Sequence, residues 1–446
     1  MSKKLSLGAA LALMIIAAAV TVSLTYVYAM NRFNEKVADV NQRQAMYTKL
    51  SEIDQKSRQD YIGKINETAL NDGIAAGYMA GLTNGNGKFL SAEKYKSYLS
   101  GSSDKNVGVG IRTIQDSDGN MEVVEVFPNS PAEKSGIKKG DVILSIDGRE
   151  VIRTSYGEAV NSLDGAAGTS VSFSILRKTE GADTKDAASR ITVPVTRAEY
   201  RRSTLSSSVI NGNVGYLSIS EFQASTKEQF TDAINSLTEK KVAGLVIDLR
   251  NNSGGDMAAM AEVLDPLLPA GGTVSYVNKA GKKTEEFRSK SSQIPLPVSV
   301  IVNRSTFGAA ELFAADIKDY KRGKLIGEKT AGYGTKDEVL PLSDGSAIML
   351  SVAYYTRING DAFNGKGIDV DLKATLTDSQ KELLLRRSLA PLDDPQVQTA
   401  VTALVQQGAD VAQIPGTDSV SSAGGESGAD SSSGTNSRLQ TGPRLL

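Results

Sequence analysis

Three segments of the chain gather side chains that could do chemistry. Asp248-Leu249-Arg250-Asn251-Asn252-Ser253-Gly254-Gly255 follows the apolar run AGLVI, and Val302-Asn303-Arg304-Ser305-Thr306-Phe307-Gly308-Ala309-Ala310-Glu311 follows VSVI. A third, GEKTAGYGT from Gly327 to Thr335, carries Lys329 and Tyr333, with Lys336 and Asp337 just beyond. The 446 residues include no His, Cys or Trp. That excludes Ser-His-Asp and Cys-His catalysis, His-ligated zinc or haem, disulfides and iron-sulfur clusters. Acid-base work falls to Lys, Tyr, Asp or Glu, and any nucleophile is Ser, Thr, Lys or a carboxylate. Ser305 with Lys329 or Lys336 would make such a pair only if the groups met within about 3 Å. The simpler reading makes Ser305 and Thr306 loop or helix-capping hydroxyls and both lysines solvated charges. Asp248, Arg250 and Glu311 read first as ion-pairing groups that hold loops in place.

Fifty basic residues against fifty-one acidic give a net charge of -1. A nucleic-acid binder needs a basic surface to displace counterions, so none is expected as a partner. No metal or other cofactor is implied. At the N-terminus, residues 5 to 30 carry no charge and follow Lys3 and Lys4. About 20 apolar residues span a bilayer core, so this stretch is long enough for an anchor with the rest of the chain outside the cytoplasm. A cleaved signal peptide ending at Val27-Tyr28-Ala29 is the competing reading.

The elements that position these groups follow from the pattern. Residues 31 to 104 read as a helical stalk and cap, broken at Asn84-Gly85-Asn86-Gly87. From 105 to 197 short alternating runs such as EVVEVF and SVSFSIL indicate a small β-domain. From 198 to 395, strands such as VGYLSIS, AGLVIDLR and VSVIVN alternate with helices over Lys227 to Glu239 and Ala309 to Tyr320, which predicts an α/β core. Residues 396 to 446 are expected to form one helix and then a disordered tail rich in Ser, Gly and Asp.

Gly108-Val109-Gly110-Ile111 opens a strand, and NSPAEKSGIKKGDVILSIDG follows from Asn129 to Gly148. The combination resembles a PDZ domain of the bacterial protease-associated kind. Such a loop leaves backbone N–H groups free for a peptide's terminal carboxylate, and the strand edge can pair with the peptide. Val109 and Ile111 would line the pocket for its last side chain, against a helix over about Ser155 to Leu163.

The three loops, with LPLSDGSAI from Leu340 to Ile348, resemble the C-terminal processing (tail-specific) serine peptidase family over residues 65 to 395. The resemblance implies a multidomain α+β and α/β protein. Its order would be a transmembrane helix, a helical cap, a PDZ domain and a ClpP/crotonase-like core, acting on protein C-termini or unfolded peptides outside the cytoplasm. It also implies a Ser-Lys dyad assisted by Gln, and here the departures are large. The nucleophile position holds Gly308, the base position within the GKG element holds Tyr333, and the Gln position holds Asp337. Gly254, Gly255 and the N–H of Ala309 fall where the family builds its oxyanion hole. A glycine has no nucleophile, and a phenol with a pKa near about 10 cannot replace the amine. The expectation is a membrane-anchored member that binds protein tails without cutting them. The alternatives are an active peptidase using Ser305, Lys329 and Lys336, and an assembly unit forming a homo-oligomer through the stalk.

Overall fold

The computed structural model describes residues 7–101, 105–178, 188–290, 293–358 and 362–413. The chain divides into two compact units at Ile74/Ala75. The first is dominated by α1, Leu7–Asp60, which runs unbroken across the expected boundary at residue 30; α2, Glu67–Leu82, begins in this unit. Among the described residues no helix is long and apolar enough to cross a membrane. The expected anchor over residues 1 to 30 thus has no such helix to support it, and residues 1 to 6, with Lys3 and Lys4, lie outside the described residues. The tail expected over 415 to 446 lies outside them too.

The second unit opens with the end of α2 and continues with β1 (Lys88–Leu90) and α3 (Ala92–Gly101), so the expected cap is not wholly helical. The PDZ-like domain follows as β2 (Lys105–Gly108), β3 (Ile111–Gln115), β4 (Met121–Val126), α4 (Pro131–Lys134), β5 (Val142–Ile146), β6 (Arg149–Glu150), α5 (Tyr156–Asn161), β7 (Ser170–Lys178) and β8 (Ala188–Thr196). The sheet order is β3-β4-β5-β7-β8, which leaves β3 at an edge. Val109, Met121, Val123, Ile143, Phe173 and Ile175 are among the residues that fill its core. Ser130 caps α4 ahead of Pro131, and a Ser155/Glu158 capping box starts α5, as the sequence signatures require. The domain boundary at 197 is crossed by pairing, because β9 (Ala198–Arg201) lies antiparallel to β2.

The core is built from β10 (Leu205–Ile210), β11 (Val214–Ile219), α6 (Thr226–Glu239), β12 (Gly244–Asp248), α7 (Met257–Leu264), β13 (Gly271–Asn278), β14 (Lys283–Ser289), β15 (Val298–Val302), α8 (Ala309–Asp319), β16 (Gly323–Gly327), β17 (Thr335–Pro341), β18 (Ala347–Thr356), β19 (Leu372–Lys373), α9 (Asp378–Leu385) and α10 (Pro395–Gln406). Six strands in the order β10-β11-β12-β15-β16-β19 form its central sheet, parallel from β11 onward. β12 and β15 are buried on both faces, which explains their uninterrupted apolar runs. Leu245, Ile247, Val300 and Val302 face the cluster containing Phe230, Met260 and Phe313, while Val246 and Ile301 face α10 through Val397, Val401 and Leu404. The helix expected to introduce a tail is thus one layer of the core, and the boundary drawn at 395/396 cuts through a packed helix. A second, antiparallel sheet of β1, β18, β13, β14 and β17 was not expected from the sequence; in it β17 carries Lys336 and Asp337.

Candidate functional site

The parallel sheet brings the three chemically loaded loops to the carboxyl ends of β12, β15 and β16, where open α/β sheets place their ligands. Side chains of the loops then lock them together. Asn303 and Asn251 exchange bonds, with Asn251 N donating to Asn303 Oδ1 at 3.0 Å and Asn303 Nδ2 donating to Asn251 Oδ1 at 2.9 Å. Thr306 Oγ1 donates to Leu249 O at 2.8 Å and is fully buried, so its role is to hold the loops. Phe307 N donates to Asn252 O at 3.0 Å, and Ala331 N to Thr306 O at 3.1 Å.

Gly308 caps α8 with φ 57° and ψ -113°, a conformation that L side chains rarely adopt. Its N–H donates to Glu311 Oε2 at 3.0 Å. The same carboxylate accepts from Thr330 Oγ1 at 2.5 Å, Gly332 N at 2.6 Å and Tyr333 N at 2.7 Å. Glu311 is completely buried and binds the backbone of position 308 to that of positions 332 and 333. It is a loop-holding group, as the sequence indicated. Its use of four donors explains how a carboxylate is tolerated there.

A Cβ built on Gly308 would lie 4.0 Å from Gly254 Cα and 4.0 Å from Tyr333 Cδ1. Positions 308 and 333 therefore face each other, and a serine side chain would have room. What stands there differs from a dyad. The Tyr333 ring stacks on Phe307 with centroids 4.1 Å apart, and its hydroxyl donates to Asp337 Oδ2 at 2.5 Å. Asp337 Oδ1 accepts from Ser351 Oγ at 2.6 Å. Burial first, and then the Asp337 carboxylate, push the Tyr333 phenol above its ordinary value, so it stays protonated and is a poor base. Phe307 and Ser351 complete this arrangement, and no spacing rule pointed to either.

Of the three expected carbonyl donors, the N–H of Gly254 is already given to Asn252 Oδ1 at 2.8 Å. That corrects its assignment, because a donor spent inside the loop cannot receive a ligand. The N–H groups of Gly255 and Ala309 have no acceptor among the described residues. Gly255 sits at φ 111° with Phe222 O 2.2 Å from where a Cβ would be, so only glycine lets that segment approach. The Ala309 N–H at the start of the eleven-residue α8, with the Gly255 N–H from the loop after β12, suits a peptide carbonyl or carboxylate.

The alternative catalytic residues are not assembled in this way. Lys329 Nζ pairs with Asp369 at 3.2 Å, and Lys336 Nζ pairs with Glu286 at 2.5 Å while lying 4.4 Å from the Tyr276 ring centre. Ser305 lines a separate cavity of about 420 Å³ with Arg304, Glu328 and Lys381, a cavity that neither lysine lines. Asp248 and Arg250 belong to a buried network. Arg250 bonds Asp248 at 2.5 Å, Asp394 at 2.7 Å and Gln396 Oε1 at 2.8 Å, and Tyr216 Oη donates to Asp248 at 2.6 Å. Burial alone would lower the Arg250 pKa, but Asp248 and then Asp394 hold it above the ordinary value. The network ties α10 to the end of β12.

In the PDZ-like domain, Val109 N donates to Leu163 O at 3.1 Å and is not free for a ligand. Val109 and Ile111 are buried within the domain core. Gly108 bridges to Asp164, and Gly110 O accepts from Phe127 N at 3.1 Å. The free edge of β3 faces the place where a peptide strand would add. Thr113 Oγ1 and Tyr156 Oη, 2.9 Å apart, link β3 to α5, a contact that residue types alone did not suggest.

Fold and site together define a PDZ-bearing protein on a serine-peptidase scaffold. Residues 122–177 match the PDZ domain model and residues 213–374 match the model of peptidase family S41. The chain belongs to this family of C-terminal processing proteases. It is 31% identical over 336 residues to the carboxy-terminal processing protease CtpA of Bacillus subtilis (strain 168), covering 75% of this chain and 70% of that protein. It is 28% identical to a probable CtpA-like serine protease of Staphylococcus aureus (strain MRSA252), covering 80% of this chain and 70% of that one. Among solved structures, the photosystem II D1 C-terminal processing protease aligns with 27% identity over 73% of this chain and 83% of its own, with a TM-score of 0.44.

Proposed function

We propose that this protein binds the C-terminal tails of other proteins and does not cleave them, acting as a regulator, decoy or scaffold outside the cytoplasm. The observation that carries the reading is the meeting of Gly308 and Tyr333. The place of a nucleophile has no side chain, and the place of its base holds a protonated phenol bonded to Asp337. Losing the nucleophile of a catalytic unit removes most of the rate, and losing its partners leaves no covalent route. Peptide capture is supported by the edge of β3 and by the N–H groups of Gly255 and Ala309. The extracytoplasmic address rests on the uncharged residues 5 to 30, among which Met14, Ile16, Val20 and Leu24 are exposed on α1. Recovery of the full chain in the soluble fraction after cell lysis would contradict an anchor.

The test is anisotropy of a labelled unfolded tail peptide titrated with the full chain, followed by mass spectrometry of the recovered peptide. Saturable binding with the peptide intact is expected. Absence of binding, or fragments that accumulate in proportion to protein, overturns the proposal.

A further inference from the structure

A cavity of about 390 Å³ lies between β3 and β4 of the PDZ-like domain, β10 and β11 of the core, and the segment that follows α9. Its volume is in the range of small-molecule sites. Three guanidiniums line it; Asp248 and Asp394 hold Arg250, which leaves Arg112 from β3 and Arg387 from beyond α9. They share one counter-charge, because Arg112 Nε lies 3.1 Å and Arg387 Nη1 3.0 Å from the same oxygen, Glu125 Oε2. Arg112 Nη2 donates a hydrogen bond to Ser220 Oγ at 3.2 Å. Arg112 Nη1 has no partner among the described residues. Burial and then the Arg387 charge lower the Arg112 pKa, as expected for a crowded cation without enough counter-charge.

The acids on the cavity wall do not supply that charge. Asp248 is taken by Arg250 and Tyr216, while Asp394 binds Arg250 with one oxygen and caps α10 with the other. The lining also carries apolar side chains, Val124, Leu384, Leu385 and Leu389 among them. Guanidiniums and leucines lining one cavity together select an amphiphilic anion, since guanidinium matches a carboxylate and the leucines match a hydrocarbon body.

We infer that this cavity binds a small organic carboxylate with a branched apolar body, its carboxylate held between Arg112 and Arg387. Neither Gly308 nor Tyr333 lines this cavity, and binding here requires no chemistry at those positions. The ligand would touch the PDZ-like domain and the core at once.

The experiment is calorimetric titration of the full chain with isocaproate, and in separate arms with its neutral amide, isocaproamide, and with inorganic phosphate. Saturable binding of isocaproate is expected, with neither other probe binding. Arg112→Gln and Arg387→Gln should each weaken it by roughly tenfold, the loss of one charge-assisted contact. Arg387 sits on a surface segment, so its substitution reports even if Arg112→Gln fails to fold. No saturable binding by isocaproate, equal binding of the amide, or equal binding of phosphate would each overturn the inference. The amide and phosphate arms need no variant.

Discussion

The hydroxyl of Tyr333 donates to Asp337 Oδ2 at 2.5 Å, so two of the three positions expected to carry the family's chemistry are bonded to each other. The phenol is held above its ordinary pKa of about 10 by burial first and by Asp337 second. Its contribution to stability is fully present below pH of about 10 and is lost as the pH rises through the folded-state value. Ultraviolet difference titration of the wild type against Tyr333→Phe should isolate a late-titrating phenol, and Asp337→Asn should move that phenol to lower pH.

Position 308 combines open space with a demanding backbone. Gly308→Ala is expected to lower stability by about 1–3 kcal/mol, the cost of holding an L residue in this region. Gly255→Ala should cost more, because its Cβ would also collide with Phe222 O. Urea midpoints of the two variants give the comparison, and equal losses would contradict it.

Glu311 supplies acceptors for four donors from both sides of the site. Glu311→Ala strands those donors in a buried setting and is expected to cost about 3–5 kcal/mol. Glu311→Gln keeps one carbonyl oxygen and should fall between. A near-neutral Glu311→Ala in chemical denaturation would show that the loops are held by other contacts.

Much of this site was legible from residue types and spacing. Gly308, Tyr333 and Asp337 were placed by one ungapped register, and the fold brings 308 to face 333 and bonds 333 to 337. The loops are legible because they sit at strand ends with glycines that have local steric reasons. Phe307 and Ser351 were not, since a stacking partner and a hydroxyl from β18 arrive by tertiary approach. Gly254 was misassigned for a related reason: which glycine N–H is spent on Asn252 depends on one side-chain rotamer. The second sheet was missed because its strands lack clean apolar alternation: β14 and β17 are largely exposed, and β13 buries Thr273, Val274 and Ser275 in succession.

The role of α10 was also misjudged, because its composition resembles a lead into the tail while its apolar face is what the central sheet requires. Leu404 is fully buried against that sheet. Leu404→Ala should lower stability by about 2–5 kcal/mol in urea denaturation. A loss under about 0.5 kcal/mol, the range of ordinary surface changes, would return the helix to the tail.

The contact between Thr113 and Tyr156 joins β3 to α5 beside the strand edge that a peptide would extend. Tyr156→Phe removes the bond and is expected to raise the affinity for a tail peptide a few-fold, whereas amidating the peptide's carboxylate should weaken binding by about tenfold. Peptide anisotropy on the full chain measures both. An amidated peptide that binds as well as the free acid would remove the PDZ loop from the account.

The central claim is that the scaffold keeps its geometry without its chemistry, and proteolysis by the full chain tests it most directly. Wild type and a Gly308→Ser, Tyr333→Lys, Asp337→Gln variant would be incubated with an unfolded protein and the fragments quantified by mass spectrometry. The account predicts no fragments from the wild type and fragments from the variant. Cleavage by the wild type that disappears in a Ser305→Ala, Lys329→Ala, Lys336→Ala variant would contradict it.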